Sequence, residues 1–302
     1  MFISELLNNP MDAVRALLVM LPGMLFSLSL HECAHGYIAY RCGDDTARLK
    51  GRLTLNPLKH FDPIGFLCML VIGFGWAKPV PVNPLHYRNY RRDDLKVSLA
   101  GITANLCLFF LCFVIMMSIF TAALNSFPHY ESPYQYYLSK DKADSFTIEY
   151  NGETYFENDK LTIDSENLFS FATGLYYYQS GSEKQTVYNT IIEPAFGGIV
   201  AILYEMLSYC MLINLTLAVF NLIPIPPLDG YHVLNDLVLK QDLFAQMRTA
   251  RICGGILMAL ILIGNYYPQY DVISIVIGGV RTYACDNMAK LAEVIVKAMG
   301  MI

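Results

Sequence analysis

The fold of this chain is decided by residues 14–40, which read VRALLVMLPGMLFSLSLHECAHGYIAY. Residues 16–30 carry no charge, and a helix over the whole stretch is long enough to cross a bilayer. Within it His31 and His35 are spaced i and i+4, so both imidazoles lie on one helix face and can bind one zinc ion. Glu32 projects beside them, where a carboxylate can take a proton from a bound water. The stretch therefore predicts a metal site at membrane depth, where ionisable residues are functional by default.

The composition is that of an integral membrane protein. Of the 302 residues, 55% are hydrophobic and only 16% are charged, whereas soluble domains are about 25% charged. The net charge of -5 and the lack of a basic stripe with interleaved aromatic residues exclude nucleic acid as a partner. The eight cysteines are scattered and none lies in residues 125–197, which indicates reduced thiols and not a disulfide framework. The sequence therefore predicts the lipid bilayer as a partner.

Four apolar segments predict transmembrane helices, at residues 11–41, 95–124, 198–223 and 252–267. Residues 64–74 are also apolar but too short to cross, and together with the Gly- and Pro-rich residues after them they suggest strands or a re-entrant loop. For residues 268–302 an interfacial helix and a broken final span both stay open. The predicted fold is an all-α polytopic membrane protein of about four to six transmembrane helices. It includes this membrane-dipping β or re-entrant segment and a small extracytoplasmic insert.

The charges in the loops predict the orientation. Residues 41–98 hold ten Lys or Arg, whereas residues 125–197 hold four basic and eleven acidic residues. Because basic loops stay in the cytoplasm, we expect a multi-pass protein of the cell membrane with the N-terminus and residues 125–197 outside. Alternating apolar and polar residues at 145–155 predict strands in this insert. The predicted domains are a first membrane core at residues 1–124, the insert at 125–197 and a second membrane core at 198–302.

A third metal ligand is predicted within residues 221–230, which read NLIPIPPLDG and end the third span. A catalytic zinc takes three protein ligands and keeps one position open. Asp229 ends an inward-running span on the side where the His31 helix also ends, so the two match in depth, near the cytoplasmic leaflet. Alternatively, Asp229 caps the following helix, since Asp-Gly is also a turn signal. His60 and His86 are expected to be solvated or interfacial and not to be ligands.

Five motifs occur in one order along the chain: HECAH at 31–35, GRLTLNP at 51–57, GFGWAKPVPVNP at 73–84, LAGITAN at 99–105 and NLIPIPPLDG at 221–230. Together they resemble the site-2 protease family of intramembrane zinc metalloproteases. The three middle motifs look like the compact bacterial branch, which lacks a PDZ domain. There are two departures from the family pattern. Ile102 stands where the family often has proline, and the insert at 125–197 is longer than that branch leads us to expect.

The resemblance implies a zinc metalloendopeptidase with zinc bound by His31, His35 and Asp229, and with Glu32 as general base and later proton donor. Its substrate would be a membrane protein or peptide, cut within or near a transmembrane segment, as in regulated intramembrane proteolysis. One alternative is a proteolytically weak relative that binds membrane peptides, against which the intact Glu32 argues. A metal transporter is a second alternative, but the sequence shows no internal repeat. Homo-oligomerisation stays open.

Four further residues are candidates for substrate binding or catalysis. Asn221 matches the family's asparagine near the scissile carbonyl, where an amide can donate to an oxyanion; alternatively it bonds a freed backbone carbonyl. Asn105 matches a membrane asparagine that either binds substrate or joins helices. Gly75 and Trp76 are candidate substrate contacts, although Trp76 also suits an interface anchor. A substrate helix must unwind to be cut, and the edge of residues 73–84 is where we expect it to add as a strand.

Overall fold

The computed structural model describes residues 9–72, 75–126, 192–239 and 247–266, five short segments at 135–138, 146–150, 153–156, 177–180 and 183–187, and separate positions between 275 and 294. The helices are α1 (Pro10–Cys42), α2 (Thr46–Leu49), α3 (Pro57–His60), α4 (Pro63–Ile72), α5 (Tyr90–Ser126), α6 (Glu193–Phe196), α7 (Gly198–Asn221), α8 (Asp229–Leu234) and α9 (Met247–Tyr266). A 3₁₀ turn at Pro84–His86 precedes α5, and a π-helical turn at Asn235–Leu239 follows α8. The prediction of a mostly helical chain is therefore confirmed.

Within the described residues, three helices are long and apolar enough to cross a membrane: Pro10–Cys42, Tyr90–Ala123 within α5, and Gly198–Asn221. They correspond to the first three predicted spans and support a membrane protein. The fourth predicted span falls on a shorter apolar helix, Ile252–Gly264. The count of four to six spans stays a prediction, and most of residues 268–302 lies outside the described part of the chain.

The ends of α1 follow from its sequence. Pro10 stands at the first helical position, where its missing N–H costs no hydrogen bond. The helix ends at Gly43, whose φ of 114° lies in the left-handed region that favours glycine. Gly43 and Asp44 donate their backbone N–H groups to Tyr40 and Ala39, which satisfies two of the last carbonyls of the helix. The helix therefore carries both histidines of the motif well inside its regular part.

Helix α5 begins at Tyr90, five residues before the start of the predicted span at residue 95. It begins earlier because polar residues before the apolar run cap its first turn. The backbone N–H of Asn89 donates to Asp93 Oδ2 at 2.9 Å, and Asn89 Oδ1 accepts from the N–H of Arg92 at 3.4 Å. This reciprocal pair satisfies donors of the first turn much as a capping box does. The charged residues before the apolar run are therefore helical.

The strand alternative for residues 64–74 is wrong where the structure describes them, because residues 63–72 form helix α4. Asp62 Oδ1 accepts from the backbone N–H groups of Ile64 at 2.9 Å and Gly65 at 3.0 Å, and Pro63 occupies the first turn. An Asp cap followed by Pro is a helix-start signal that outweighs the Gly and β-branched residues. Ten residues make a helix of about 15 Å, which does not cross a membrane. The re-entrant path of this segment stays a prediction.

The parts of the predicted insert that the structure describes include five short strands. Strands β1 (Gln135–Leu138), β2 (Phe146–Tyr150) and β3 (Glu153–Phe156) form an antiparallel sheet in that order. Strands β4 (Tyr177–Ser180) and β5 (Glu183–Thr186) form a separate antiparallel pair. The alternation at residues 145–155 is therefore confirmed as strand, since β2 and β3 pair across it. The limits of the insert as a domain stay a prediction.

The chain divides into two compact units, one of residues 1–109 and 210–280 and one of residues 110–209 and 281–302. In the first unit, Ser27 on α1 accepts a hydrogen bond from Asn214 on α7 at 2.7 Å, and both side chains are buried. A Cβ on Gly23 would lie 3.1 Å from Cys210 Cβ, so the two helices also pack closely one turn earlier along α1. This packing fixes α1 next to α7, just before the turn that carries His31. In the second unit, the largest buried side chains include Phe113, Met116 and Tyr204.

Candidate metal centre

The structure brings His31, His35 and Asp229 together, although 194 residues separate the last two. The Nε2 atoms of the two histidines are 3.0 Å apart. Asp229 Oδ2 lies 3.4 Å from His31 Nε2 and 3.2 Å from His35 Nε2. The three ligand atoms all lie within 4.8 Å of one another, as three atoms around one ion must. The ligand trio predicted from the sequence is thus one cluster in space.

Asp229 reaches the histidines because the chain reverses after α7. The helix ends at Asn221, residues 222–228 form an irregular proline-containing turn, and α8 begins at Asp229 itself. A Cβ on Gly230 would lie 2.3 Å from the carbonyl oxygen of Leu222, so only glycine allows α8 to fold back on this turn. Leu228, and not Asp229, stands at the N-cap of α8, and Asp229 is the first residue of the helix.

The chemistry of the trio fits a zinc ion. Asp229 is only 20% exposed, and its Oδ2 has no hydrogen-bond partner among the described residues. A buried carboxylate without a hydrogen-bond donor is costly, and a cation between it and the two imidazoles removes that cost. Two imidazole nitrogens and one carboxylate oxygen are also the donor set of zinc sites that keep a fourth position open.

Glu32 lies on α1 next to the trio and contacts the segment of residues 75–83. Its Oε2 accepts a hydrogen bond from the backbone N–H of Val80 at 2.7 Å. Val80 stands between Pro79 and Pro81, and because proline lacks an N–H it is the only backbone donor of these three residues. The valine side chain is buried against Gly36, where a Cβ would lie 3.0 Å from Val80 Cγ1. The Pro-Val-Pro pattern thus marks Val80 as the available donor, but it does not predict Glu32 as the acceptor.

Helix α5 supplies further neighbours of the two histidines. The carbonyl oxygen of Val97 lies 2.7 Å from His35 Nδ1, and the amide of Asn105 lies 3.1 Å from His31 Nδ1. A Cβ on Gly101 would lie 2.5 Å from both rings, at His31 Cε1 and His35 Nε2. Sequence reasoning found Asn105 as a candidate but missed Val97 and Gly101. The i, i+4, i+8 spacing of these residues is the signal that they share one helix face.

The other candidates do not contact the trio among the described residues. Asn221 donates through Nδ2 to the carbonyl of Leu217, one turn back in its own helix, at 3.0 Å. Gly75 packs on α4, where its Cβ would lie 2.2 Å from the carbonyl oxygen of Gly65, and Trp76 is 39% exposed. Catalytic or substrate-binding roles for Asn221, Gly75 and Trp76 therefore stay predictions.

A buried carboxylate ties the end of α1 to the chain that leads into α5. Asp44 Oδ2 accepts from the backbone N–H of Asn83 at 2.6 Å, and Oδ1 accepts from the backbone and side chain of Thr46. Asp44 Oδ1 also pairs with His86 Nδ1 at 3.0 Å. Burial alone would raise the pKa of Asp44, but these hydrogen bonds together hold it below its ordinary value. We call Asp44 and its partners Thr46, Asn83 and His86 the Asp44 clasp. The clasp holds Asn83, three residues after Val80, and so helps to keep Val80 beside Glu32.

Among the described residues, His60 and His86 do not belong to the trio, and the expectation of solvation is wrong for His60. Its side chain is 2% exposed, and Nε2 lies 2.8 Å from the carbonyl oxygen of Thr54. That oxygen only accepts, so His60 donates and holds α3 to the preceding turn. His86 is half exposed and is tied to Asp44.

The fold and the site together define a class of protein, a mostly helical membrane protein with a His-Glu-x-x-His metal centre completed by a distant aspartate. The chain belongs to peptidase family M50, the site-2 protease family, whose sequence profile matches residues 19–264. No PDZ domain was found within the chain, in agreement with the compact branch.

Curated relatives agree with this family. The chain is 31% identical over 246 residues to "Putative zinc metalloprotease YwhC" of Bacillus subtilis, a match that covers 80% of each chain. Over 105 residues it is 36% identical to "Putative zinc metalloprotease Rip2" of Mycolicibacterium smegmatis, which covers 33% of this chain and 40% of the relative. The Rip2 protein of Mycobacterium tuberculosis is 32% identical over the same length. No solved structure matches the chain.

Proposed function

We propose that this protein is a zinc-dependent intramembrane protease that hydrolyses a peptide bond within or near a transmembrane segment of a membrane-protein substrate. One observation carries the proposal: the two Nε2 atoms and Asp229 Oδ2 converge within 4.8 Å, with Glu32 on the same helix as both histidines. Membership of family M50 and the names of the relatives as zinc metalloproteases support the same assignment.

Zinc is the metal we propose for the trio of His31, His35 and Asp229. When bound there, the ion lowers the pKa of a water molecule toward neutrality and polarises the carbonyl of the substrate. Glu32 is the general base that takes the proton of that water and later gives it to the leaving amine. The hydrogen bond from Val80 N–H at 2.7 Å holds this carboxylate in one position and leaves its other oxygen for the proton.

Residues 75–83 are the proposed contact surface for the substrate. This segment forms neither helix nor paired strand in the structure, and Val80 places its backbone beside Glu32. An unwound substrate lying along it would present its carbonyls next to the general base, with backbone hydrogen bonds providing affinity independent of side chains. Gly75 and Trp76 at the start of the segment and Asn221 at the end of α7 are the proposed further contacts, the last as an oxyanion donor.

The proposed position of the reaction is the cytoplasmic side of the cell membrane. Ten Lys or Arg at residues 41–98 flank the end of α1 that carries His35, whereas residues 125–197 hold only four. The site would thus release a product into the cytoplasm, with residues 125–197 on the opposite side. Homo-oligomerisation is compatible with this arrangement and is not required by it.

The test of the proposed function is a cleavage assay with the full-length protein in detergent micelles and a set of single-span membrane peptides. We expect cleavage that stops when a strong chelator removes the metal and returns when zinc is added back. A matched reaction with Glu32→Gln excludes a contaminating protease. If wild type holds zinc and binds the peptides without cutting any of them, the protein is instead a proteolytically weak binding relative.

A further inference from the structure

The two histidines each have a second ring nitrogen, and both of these face helix α5. When Nε2 of a neutral imidazole offers its lone pair to a metal, Nδ1 carries the hydrogen and needs an acceptor. Such outer acceptors fix the orientation of metal-binding histidines and raise their basicity. The partners of His31 Nδ1 and His35 Nδ1 therefore determine how well the trio holds its ion.

For His35 the outer partner is a backbone carbonyl. Val97 O lies 2.7 Å from His35 Nδ1, and a carbonyl oxygen only accepts. Nδ1 of this ring therefore carries the hydrogen, and Nε2 keeps its lone pair toward the cluster. The tautomer of His35 that binds a metal is thus set by the main chain of α5.

For His31 the outer partner is a side chain. Asn105 Nδ2 lies 3.1 Å from His31 Nδ1, and the side chain of Asn105 is completely buried. A side-chain amide has two orientations that exchange its oxygen and nitrogen, and only the oxygen can accept the Nδ1 hydrogen. Asn105 Oδ1 has no hydrogen-bond partner among the described residues, so no hydrogen bond of Oδ1 opposes the exchange that would turn it toward His31 Nδ1.

Between these two contacts, α5 lies directly against both rings. Val97, Gly101 and Asn105 follow one another at i, i+4 and i+8, and so share one helix face. A Cβ on Gly101 would lie 2.5 Å from His31 Cε1 and 2.5 Å from His35 Nε2, a distance that real Cβ atoms do not tolerate. Glycine is therefore required here for the helix to approach the imidazoles closely enough to bond them.

We propose that residues 97–105 of α5 form an outer template for the metal ligands, in which Asn105 and Gly101 are positioning residues. Asn105 accepts the Nδ1 hydrogen of His31, and Gly101 gives both rings the space to face the ion. This assignment replaces substrate binding as the role of Asn105. The inference rests on the proposed zinc site and extends it to residues that do not touch the metal.

The first experiment measures the zinc affinity of the full-length protein in detergent by competition with a chromogenic chelator. We expect Asn105→Leu to weaken zinc binding by about 10- to 100-fold, the usual effect of losing an outer partner. Asn105→Asp keeps an acceptor in the same place and should bind zinc as tightly as wild type or more tightly. Thr121→Val is the control, since Thr121 is also buried on α5 but bonds the carbonyl oxygen of Met117 in its own helix, and its zinc affinity should be that of wild type.

A second readout separates ligand positioning from general damage to the fold. We expect the visible absorption spectrum of the cobalt-substituted protein to change in Asn105→Leu and to return toward wild type in Asn105→Asp. We also expect Gly101→Ala to lower zinc affinity at least about tenfold, because its Cβ displaces both rings. Gly255→Ala, whose Cβ would meet no atom within 4 Å, is the control and should leave zinc affinity unchanged.

Three results would overturn the proposal in different ways. Wild-type zinc affinity and cobalt spectrum in Asn105→Leu, together with a raised KM for a membrane peptide, would make Asn105 a substrate residue. Equal losses in Asn105→Leu and Asn105→Asp would show that the acceptor is not what matters. If wild type itself binds no zinc, the proposed function fails and the template fails with it.

Discussion

At the scale of single residues, the proposed site assigns metal binding and proton transfer to different side chains. His31 and His35 offer nitrogen atoms 3.0 Å apart, whereas Glu32 between them bonds the backbone of Val80 and is not one of the three converging ligands. In the proposed function, the proton acceptor on α1 is therefore a different residue from the two histidine ligands beside it. Substitutions can address each property separately.

We expect Glu32→Gln to keep the fold and the zinc but to lose proteolysis by about 10²- to 10⁴-fold, because an amide cannot take the proton. The glutamine oxygen can still accept from Val80 N–H, so the segment of residues 75–83 should stay in place. The measurement is the turnover of a membrane peptide at saturating concentration, with zinc content determined on the same sample. Near-normal turnover would mean that another group is the base.

The sequence predicted these residues because their spacing has a direct geometric meaning. Two histidines at i and i+4 must share a helix face, and a glutamate between them must lie beside it. The contacts of Val80 and Val97 could not be predicted in this way, because they use backbone groups that every non-proline residue has. Only long-range packing decides which N–H or carbonyl reaches the site.

At the scale of secondary-structure elements, two local structures position residues of the site. The turn of residues 222–228 brings Asp229 to the histidines, and the Asp44 clasp holds the segment that contains Val80. The turn depends on Gly230, because a Cβ there would lie 2.3 Å from the carbonyl oxygen of Leu222. The clasp depends on the charge of a carboxylate that accepts from Asn83, Thr46 and His86. The turn and the clasp each lead to a separate prediction.

We expect Gly230→Ala to lower zinc content, because the new methyl group must push α8 and Asp229 away from α7. Gly254→Ala is the control, since its Cβ would be 3.6 Å from Pro227 Cδ, an ordinary contact. Zinc per protein and thermal stability are measured for both variants. An unchanged zinc content in Gly230→Ala would show that Asp229 does not depend on this turn.

We expect the Asp44 clasp to make stability depend on pH in the acid range. Because the pKa of Asp44 is lowered in the folded protein, its contribution is complete above the ordinary carboxyl value of 3.8. That contribution is lost as the pH falls through the lower folded value. Asp44→Asn should melt at a lower temperature than wild type at pH 6, by a difference equivalent to about 1–3 kcal/mol, since buried hydrogen bonds lose their charge.

The same comparison at low pH tests the sign of this effect. The gap in melting temperature between wild type and Asp44→Asn should narrow once the pH falls below about 4, where Asp44 begins to be protonated in the unfolded chain. A gap that stays constant from pH 6 to pH 3 would show that the charge of Asp44 does not contribute.

Among the elements, the three long helices were predictable and α4 was not. Fifteen or more apolar residues without charge allow few structures other than a span, so α1, α5 and α7 follow from length and composition. An apolar run of about ten residues is ambiguous between strand and buried helix. For residues 63–72 the choice was made by the Asp62-Pro63 start signal, a local feature that the sequence contained.

At the scale of the whole molecule, the charges of the loops predict which of them face the cytoplasm. Residues 41–98 carry the positive charge and residues 125–197 carry acidic groups, so these two stretches should lie on opposite sides. We expect a cysteine at Leu85, a side chain that is 87% exposed, to be protected from an impermeant thiol reagent on intact cells. A cysteine at Ser165 should react with the same reagent.

This labelling is measured in a background without reactive native thiols, with permeabilised cells as the control in which both positions react. The reverse pattern would place the metal centre near the outer leaflet and would move the proposed product to the other side of the membrane. Labelling of both positions on intact cells would contradict a span between residues 85 and 165.

The most direct test of the whole account is the zinc content of purified protein, measured by elemental analysis for wild type, His31→Ala, His35→Ala, Asp229→Ala and Glu32→Gln. We predict about one zinc per wild-type chain, the same in Glu32→Gln, and a clear loss in each of the three alanine variants, since three protein ligands hold one ion. Full zinc content in all three alanine variants would contradict the central claim that these residues form the metal centre.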